Sequence, residues 1–184
     1  MEQPEITRDM RAGARAHPNS WLYVIDPMFG PDEDVPPWGV VGAYPVDENG
    51  EIVDGFRANA EYRPSPRALR MPVPSNPLEQ VMQLIHTRHL EQAELLPALV
   101  DSTLLVYSES PEDRGVTGFA NHDGTVMVPA CTSASHVPAS WPGWRDVAGR
   151  DLARLLYGYP LAVNPSGPVT AVVPAAHLTN AAGG

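Results

Sequence analysis

Apolar positions along this chain recur with two different periods, and the change falls close to residue 77. Before it the pattern is that of strands. "SWLYVIDP" (20–27) is a run of aromatic and β-branched residues stopped by Asp26-Pro27, which predicts a strand. "WGVVGAYPVD" (38–47) predicts a second, Asn49-Gly50 is a hairpin signal, and "IVDGF" (52–56) reads as the return strand. A short helix is expected over 6–16, with Arg8, Arg11 and Arg15 along one solvated face. After the change the period becomes helical. Leu78, Val81, Met82 and Ile85 share one face, with Pro77 at the first helical position. "EQAELLPALVDS" predicts a second helix, in which Pro97 either starts the last part or kinks it. "TLLVYS" (103–108) reads as a strand, 116–132 as a hairpin turning at Asp123-Gly124, and 135–144 as a loop. "GRDLARLLYG" (149–158) predicts a helix stopped by Gly158 and Pro160. Two more strands follow over 161–174, then a last turn at "AAHLTN" and a loose "AAGG" tail.

Three strands, then a run of mixed helices and strands, lack the regular βαβ alternation of a dinucleotide-binding sheet. The expected class is α+β. Residues 1–75 form a small antiparallel β-meander with a leading helix and a proline-rich arm. Residues 76–184 form an α+β domain with a mixed sheet and about three helices. The arm, "EYRPSPRALRMPVPSNPLEQ" (61–80), is the unusual stretch. Pro64, Pro66, Pro72 and Pro74 each hold φ near about −65° and push the preceding residue toward extended geometry. Such a segment is stiff, unlike a Gly/Ser tether. Its Tyr62, Leu69 and Met71 call for a surface. The arm is therefore expected to pack along the first sheet and onto the second part, so that the halves move together. Arg63, Arg67 and Arg70 would then face acidic side chains or an acidic partner.

Composition narrows the function classes. The chain has 184 residues, 43% of them hydrophobic, enough for a core. Its net charge of −10 repels phosphate, which makes nucleic acid and anionic membrane poor partners. All 12 cationic side chains are arginine, which removes Schiff-base, P-loop and general-base lysines from consideration. The single cysteine, Cys131, excludes an intrachain disulfide and a multi-cysteine zinc site. The N-terminal segment is polar, with no secretory signal visible, and the apolar runs are too short to span a bilayer. The chain reads as cytoplasmic.

The second half carries a resemblance. "LEQVMQLIHTRHLEQAELLPALVDSTLLV", the hairpin ending in "VPACTSASHV", and "RDLARLLYGYPLAVNPSGPVTAVVPAAHL" together resemble the SseB-like domain, named for the enhanced-serine-sensitivity protein. The "TS" after a strand and the "NP.G" before the last strand are its most telling points. The first half, "SWLYVIDPMF…DVPPWGVVGAYPVDENGEI…EYRPSPRAL", resembles actinobacterial proteins described as type VII secretion system-associated, in which it precedes an SseB-like part. The resemblance implies a cytoplasmic accessory protein beside a secretion machine that exports small helical substrates. It supplies no catalytic residues. Where this chain has "CTS" the family commonly has "FTS", so the resemblance implies a packing role for Cys131.

Candidate chemistry is sparse. Cys131 and His136 could form a nucleophile–base pair if the loop brought them together with an oxyanion hole, but a free cysteine mostly acts as a small buried hydrophobe. His86 and His89 stand at i, i+3 of the expected helix, with Glu79, Glu91 and His122 as further ligands by type alone. Asp32, Glu33 and Asp34 lack the spacing of a calcium loop and read as solvated. The terminal Gly-Gly reads as a small-residue tail rather than a modifier's end. No catalytic residue, cofactor or metal is expected. The expectation is a protein-binding accessory, with Trp38, Tyr62, Arg63, Arg67, Trp141 and Trp144 as its interaction surface, because aromatics beside prolines lose little entropy on binding. Two alternatives stand beside it: an immunity protein neutralising a toxin, and a small-ligand binder or enzyme using Cys131 and His136.

Overall fold

The computed structural model describes residues 3–110 and 112–183, so the Gly-Gly reading at Gly184 and the first two residues of the N-terminal segment lie outside the described residues. Backbone contacts divide the chain into two units, Met1–Pro72 and Val73–Gly184, which are described in turn.

In the first unit, helix α1 (Arg8–Ala16) begins where the Thr7 side chain accepts a hydrogen bond from the Met10 N–H at 3.2 Å. It buries Ala14. Strands β1 (Trp21–Ile25), β2 (Val40–Pro45) and β3 (Arg57–Ala58) form an antiparallel sheet in the order β1-β2-β3. Tyr44 is fully buried, packs on Phe56 at 4.8 Å between ring centres, and donates its hydroxyl to the Pro4 carbonyl. Asn49-Gly50 makes the expected turn. Gly50 has φ +76°, and a Cβ there would lie 2.7 Å from the Arg15 Cα, so the tip fits against α1 only as glycine. The return strand differs from the expectation over 52–56. Ile52 makes one isolated bridge to Val46, Gly55 turns at φ +124°, and pairing resumes only at Arg57. Asp54-Gly55 is itself a turn signal, and it breaks the ladder there.

The second unit contains α2 (Pro77–His86), α3 (Leu95–Val100), β4 (Thr103–Tyr107), β5 (Phe119–Ala120), β6 (Val126–Cys131), β7 (Trp144–Ala148), α4 (Gly149–Leu155), β8 (Leu161–Val163), β9 (Ala171–Val173) and α5 (Ala175–Ala182). The sheet runs β7-β4-β6-β8-β9, with β5 paired to β6; β6 and β8 are parallel and the other pairs antiparallel. This is an α+β architecture. One face of the sheet presents Leu104, Val106, Val128, Leu161 and Val163, all buried. Leu78, Met82, Leu99, Leu152, Leu156 and Leu178 supply the helical side of the core. Among the described residues no helix is long and apolar enough to cross a membrane.

Two expectations for this unit are corrected. The loop expected to run through 144 ends one residue earlier, because Trp144 opens β7, and "WRDVA" alternates across the sheet with Val147 buried. The last turn and loose tail are instead helix α5, which includes Ala181 and Ala182, and α2, α3, α4 and α5 are the four α-helices among the described residues of this unit. Leu178 is buried beneath α5, and that burial sustains a helix whose N-cap position holds Pro174, with no side-chain cap.

Gly149 marks the tightest approach. A Cβ there would sit 1.8 Å from the Leu99 carbonyl oxygen, while the Gly149 N–H donates to the Ser102 carbonyl at 2.8 Å. Gly149→Ala should therefore force α4 away from α3 and cost about 2 kcal/mol. Urea unfolding of the variant checks this, and an unchanged midpoint would refute the tight approach.

Candidate functional site, a buried carboxylate clasp

The start of α2 builds the site. Asn76 is the N-cap; its Oδ1 accepts from the Glu79 N–H at 3.0 Å, and its Nδ2 donates to the Thr132 carbonyl at 2.9 Å. Glu79, three residues on, turns back in the manner of a capping box. Its Oε2 accepts from the Ser75 N–H at 2.7 Å and the Ser75 hydroxyl at 2.8 Å. Its Oε1 accepts from the Thr132 hydroxyl at 2.8 Å and the Ser133 hydroxyl at 2.7 Å, with His136 Nε2 at 3.4 Å. Asn164 closes the group from the β8–β9 turn. Its Oδ1 accepts from the Thr132 N–H at 2.9 Å, and its Nδ2 donates to the Thr132 hydroxyl at 2.9 Å. Asn164 holds φ +48°, a left-handed geometry that asparagine tolerates. Gly167 lets this turn approach, since a Cβ there would lie 3.2 Å from His136 Nδ1. The "TS" residues thus meet one carboxylate, and the "NP.G" turn is tied to it through Thr132.

Burial opposes ionisation of Glu79, but the hydrogen bonds from the Ser75 N–H and the Ser133, Thr132 and Ser75 hydroxyls outweigh it and hold the carboxyl down at about 2. Both oxygens have their acceptor capacity filled. A carboxylate so acidic and so occupied is a weak base near neutral pH. Nor do Ser133, His136 and Glu79 stand in relay, because Glu79 contacts both the serine hydroxyl and the imidazole directly. The geometry makes a clasp between a helix start, a strand end and a turn.

The other candidates fall elsewhere. Cys131 is buried, burial pushes its thiol up to about 11, and Sγ lies 3.3 Å from the backbone carbonyl oxygen of His136. The imidazole faces Glu79, so thiol and base are not brought together. Alkylation of Cys131 at neutral pH should be slower than that of a free thiol by at least about a hundred-fold, until denaturant is added. Rapid labelling of the folded protein would contradict this burial. The histidine pair is corrected too. α2 ends at His86, Thr87 turns its hydroxyl back to the Gln83 carbonyl, and Arg88 takes φ +63°, which puts His89 off the helix. Among the described residues no group of three or more His, Cys, Asp or Glu could hold a metal ion. Asp32, Glu33 and Asp34 are exposed.

Within the first unit, Trp38 leans on Phe29 at 5.3 Å, and its carbonyl accepts the Arg63 N–H at 3.0 Å. Tyr62 donates its hydroxyl to Asp26 at 2.8 Å, and the Arg67 side chain is exposed one turn further on. Within the second unit, Trp141 meets Tyr107 edge-on at 5.6 Å, and Tyr107 meets Phe119 at 5.0 Å. Trp144, opposite Tyr107 across β7 and β4, is 47% exposed. The predicted residues thus form one group in each unit.

Two buried carboxylates, Asp26 and Glu79, were not singled out as organising centres by sequence. For Glu79 a signal existed, since Asn76-Pro77-Leu78-Glu79 has the spacing of a capping box. For Asp26 none did beyond the strand-stopping Asp-Pro.

The second unit is thus a mixed-sheet α+β domain whose first helix is tied to a strand end and a turn by a polar clasp. The SseB protein N-terminal domain matches residues 78–180, more than half of the chain, and the chain belongs to the SseB family. No curated protein matches the chain, and no solved structure does.

Proposed function

We propose that this chain is a non-catalytic protein-binding accessory, an adaptor, chaperone or regulator that works in the cytoplasm beside an actinobacterial type VII secretion apparatus. One contrast carries the reading. Ser75, Thr132 and Ser133 of the SseB domain turn inward and are consumed by Glu79, whereas Phe119 and Trp141 pack on Tyr107 with Trp144 paired opposite it, and Phe119 and Trp144 are 44% and 47% exposed. Partly exposed aromatics are the residue types that anchor protein interfaces. Affinity capture from the native host should recover one secretion component or secreted substrate, and Trp144→Ala should weaken that capture by at least about ten-fold. Recovery unaffected by Trp144→Ala, or a folded protein that turns over a small substrate, would overturn the reading. The net charge of −10 favours a second reading, an immunity protein whose acidity complements a basic toxin. Capture of a single toxin, with protection of cells expressing it, would select that reading.

A further inference from the structure

Strand β1 is an edge strand, since the first sheet runs β1-β2-β3. Its hydrogen-bonding direction follows from its flanks. The Val46 N–H donates to the Ser20 carbonyl at 2.9 Å, and the Asp26 N–H donates to the Gly39 carbonyl at 2.8 Å. Residues 20, 22, 24 and 26 therefore turn their backbone groups toward β2, and the bulge between Val24 and Ile25 is taken up on the β2 side. Trp21, Tyr23 and Ile25 turn their N–H and C=O groups outward, where no strand among the described residues pairs with them. The same three side chains share one sheet face and are 39%, 63% and 37% exposed.

Natural edge strands are commonly blunted by lysine, proline or an inward charge. β1, "WLYVI", carries none of these. On that face Arg57 holds its guanidinium carbon over the Trp21 ring, 4.6 Å from the ring centre, rather than across the strand's outer edge. What fits such an edge is another extended backbone, and the spacing says which one. The outward positions are symmetric about Tyr23. An antiparallel second β1, related by a two-fold axis at Tyr23, sets Tyr23 against Tyr23 and each Trp21 against Ile25 of the second copy. An aromatic opposite a β-branched residue is a favourable cross-strand pair, and no like charges meet. The contact is isologous, closes on itself and forms about six N–H···O bonds.

We infer that β1 is a self-association edge, at which two copies of this chain join their sheets into one continuous antiparallel sheet through Trp21, Tyr23 and Ile25. The contact is small, so the dimer is weak, with a dissociation constant of roughly 10 µM. This surface is independent of the proposed partner-binding role.

Sedimentation of the full chain from about 1 to about 500 µM should show a monomer–dimer equilibrium. Hydrogen exchange supplies the site. The amides of Trp21, Tyr23 and Ile25 should be protected at high concentration and exposed on dilution, while those of Leu22 and Val24 stay protected throughout. Tyr23→Lys brings two ammonium groups together and should weaken the dimer by at least about ten-fold, with partial recovery in high salt. Tyr23→Pro removes an outward N–H without touching the β2 ladder and should do the same without salt recovery. Either variant counts only if its thermal unfolding shows a native sheet; the wild-type exchange pattern decides the matter alone. A monomer at every concentration overturns the inference. So does a dimer in which the three amides exchange freely, or protection that appears only in a complex with a different polypeptide.

Discussion

Glu79→Gln should unfold the SseB domain at a markedly lower temperature and make its stability less sensitive to acid. The carboxylate takes hydrogen bonds from one N–H and three hydroxyls. Glutamine offers a single acceptor oxygen, and its NH₂ would confront two of those donors. Leaving buried donors unmatched around a lost charge costs about 3–4 kcal/mol. For a unit of this size that lowers the melting temperature by roughly 15 °C. The pH dependence gives a sharper test. The carboxyl titrates at about 2 in the fold against 4.5 ordinarily, so the native state favours the ionised form. Stability from this group is complete above pH 4.5 and is lost as pH falls from there through about 2. The side chain is only 8% exposed, so solvent screening removes little, and the loss amounts to about 3 kcal/mol. Urea midpoints at several pH values across that window should fall more steeply for the wild type than for the Gln variant, which keeps only the acid sensitivity of the other carboxylates. Parallel pH profiles would show that Glu79 is not the group that titrates.

What made parts of this fold readable was locality. Trp21–Ile25 forms a strand by its own composition, Gly50 and Gly124 make their turns by their positive φ, and Pro77 starts α2. Each signal lies within a few residues of its effect. What failed depends on distant partners. β7 has one buried side chain, Val147, and owes its strand state to pairing with β4. α5 is held by packing rather than capping. The end of α2 was missed because Thr87, Arg88 and His89 look neutral in a helical pattern, whereas a hydroxyl returning to a carbonyl and a left-handed residue stop it. The clasp sits between these cases. Thr132, Ser133 and Asn164 were visible as points of the family resemblance, but nothing local says that Thr132 and Ser133 meet a glutamate more than 50 residues earlier or that Asn164 braces Thr132. Periodicity reports which face a side chain occupies, and only the topology reports what stands opposite it.

Asp26→Ala should free the proline-rich arm of the first unit while leaving its sheet formed. The arm is not held by its prolines alone. Asp26, 1% exposed at the end of β1, accepts from the Met28 N–H at 2.8 Å, the Ser65 N–H at 2.9 Å, the Ser65 hydroxyl at 2.5 Å and the Tyr62 hydroxyl at 2.8 Å. Burial opposes its ionisation, but these bonds prevail and hold the carboxyl below its ordinary range. Burial and the adjacent Asp26 together push the Tyr62 hydroxyl upward, so Tyr62 stays a donor. Ser65 then starts a turn, with the Ala68 N–H on its hydroxyl, the Leu69 N–H on its carbonyl and the Met71 N–H on the Pro66 carbonyl. Extended geometry therefore gives way to a turn over 66–70, which carries Arg67 and Arg70. Removing Asp26 strands the Ser65 and Met28 donors at a cost of about 3 kcal/mol. Trypsin reports the release, because Arg67-Ala68 and Arg70-Met71 lie in that turn, while Arg63 is shielded by the proline after it. Cleavage at those two bonds should accelerate about a hundred-fold, as expected when local opening is eased by that amount. Tyr62→Phe removes one neutral donor from a group that keeps its others, so it should cost only about 1 kcal/mol and accelerate cleavage by roughly five-fold. The same release should appear in the wild type as pH falls below the ordinary aspartate value of 3.8, because the stabilised form is the ionised one. Equal cleavage rates in the wild type and Asp26→Ala would mean that the prolines hold the arm by themselves.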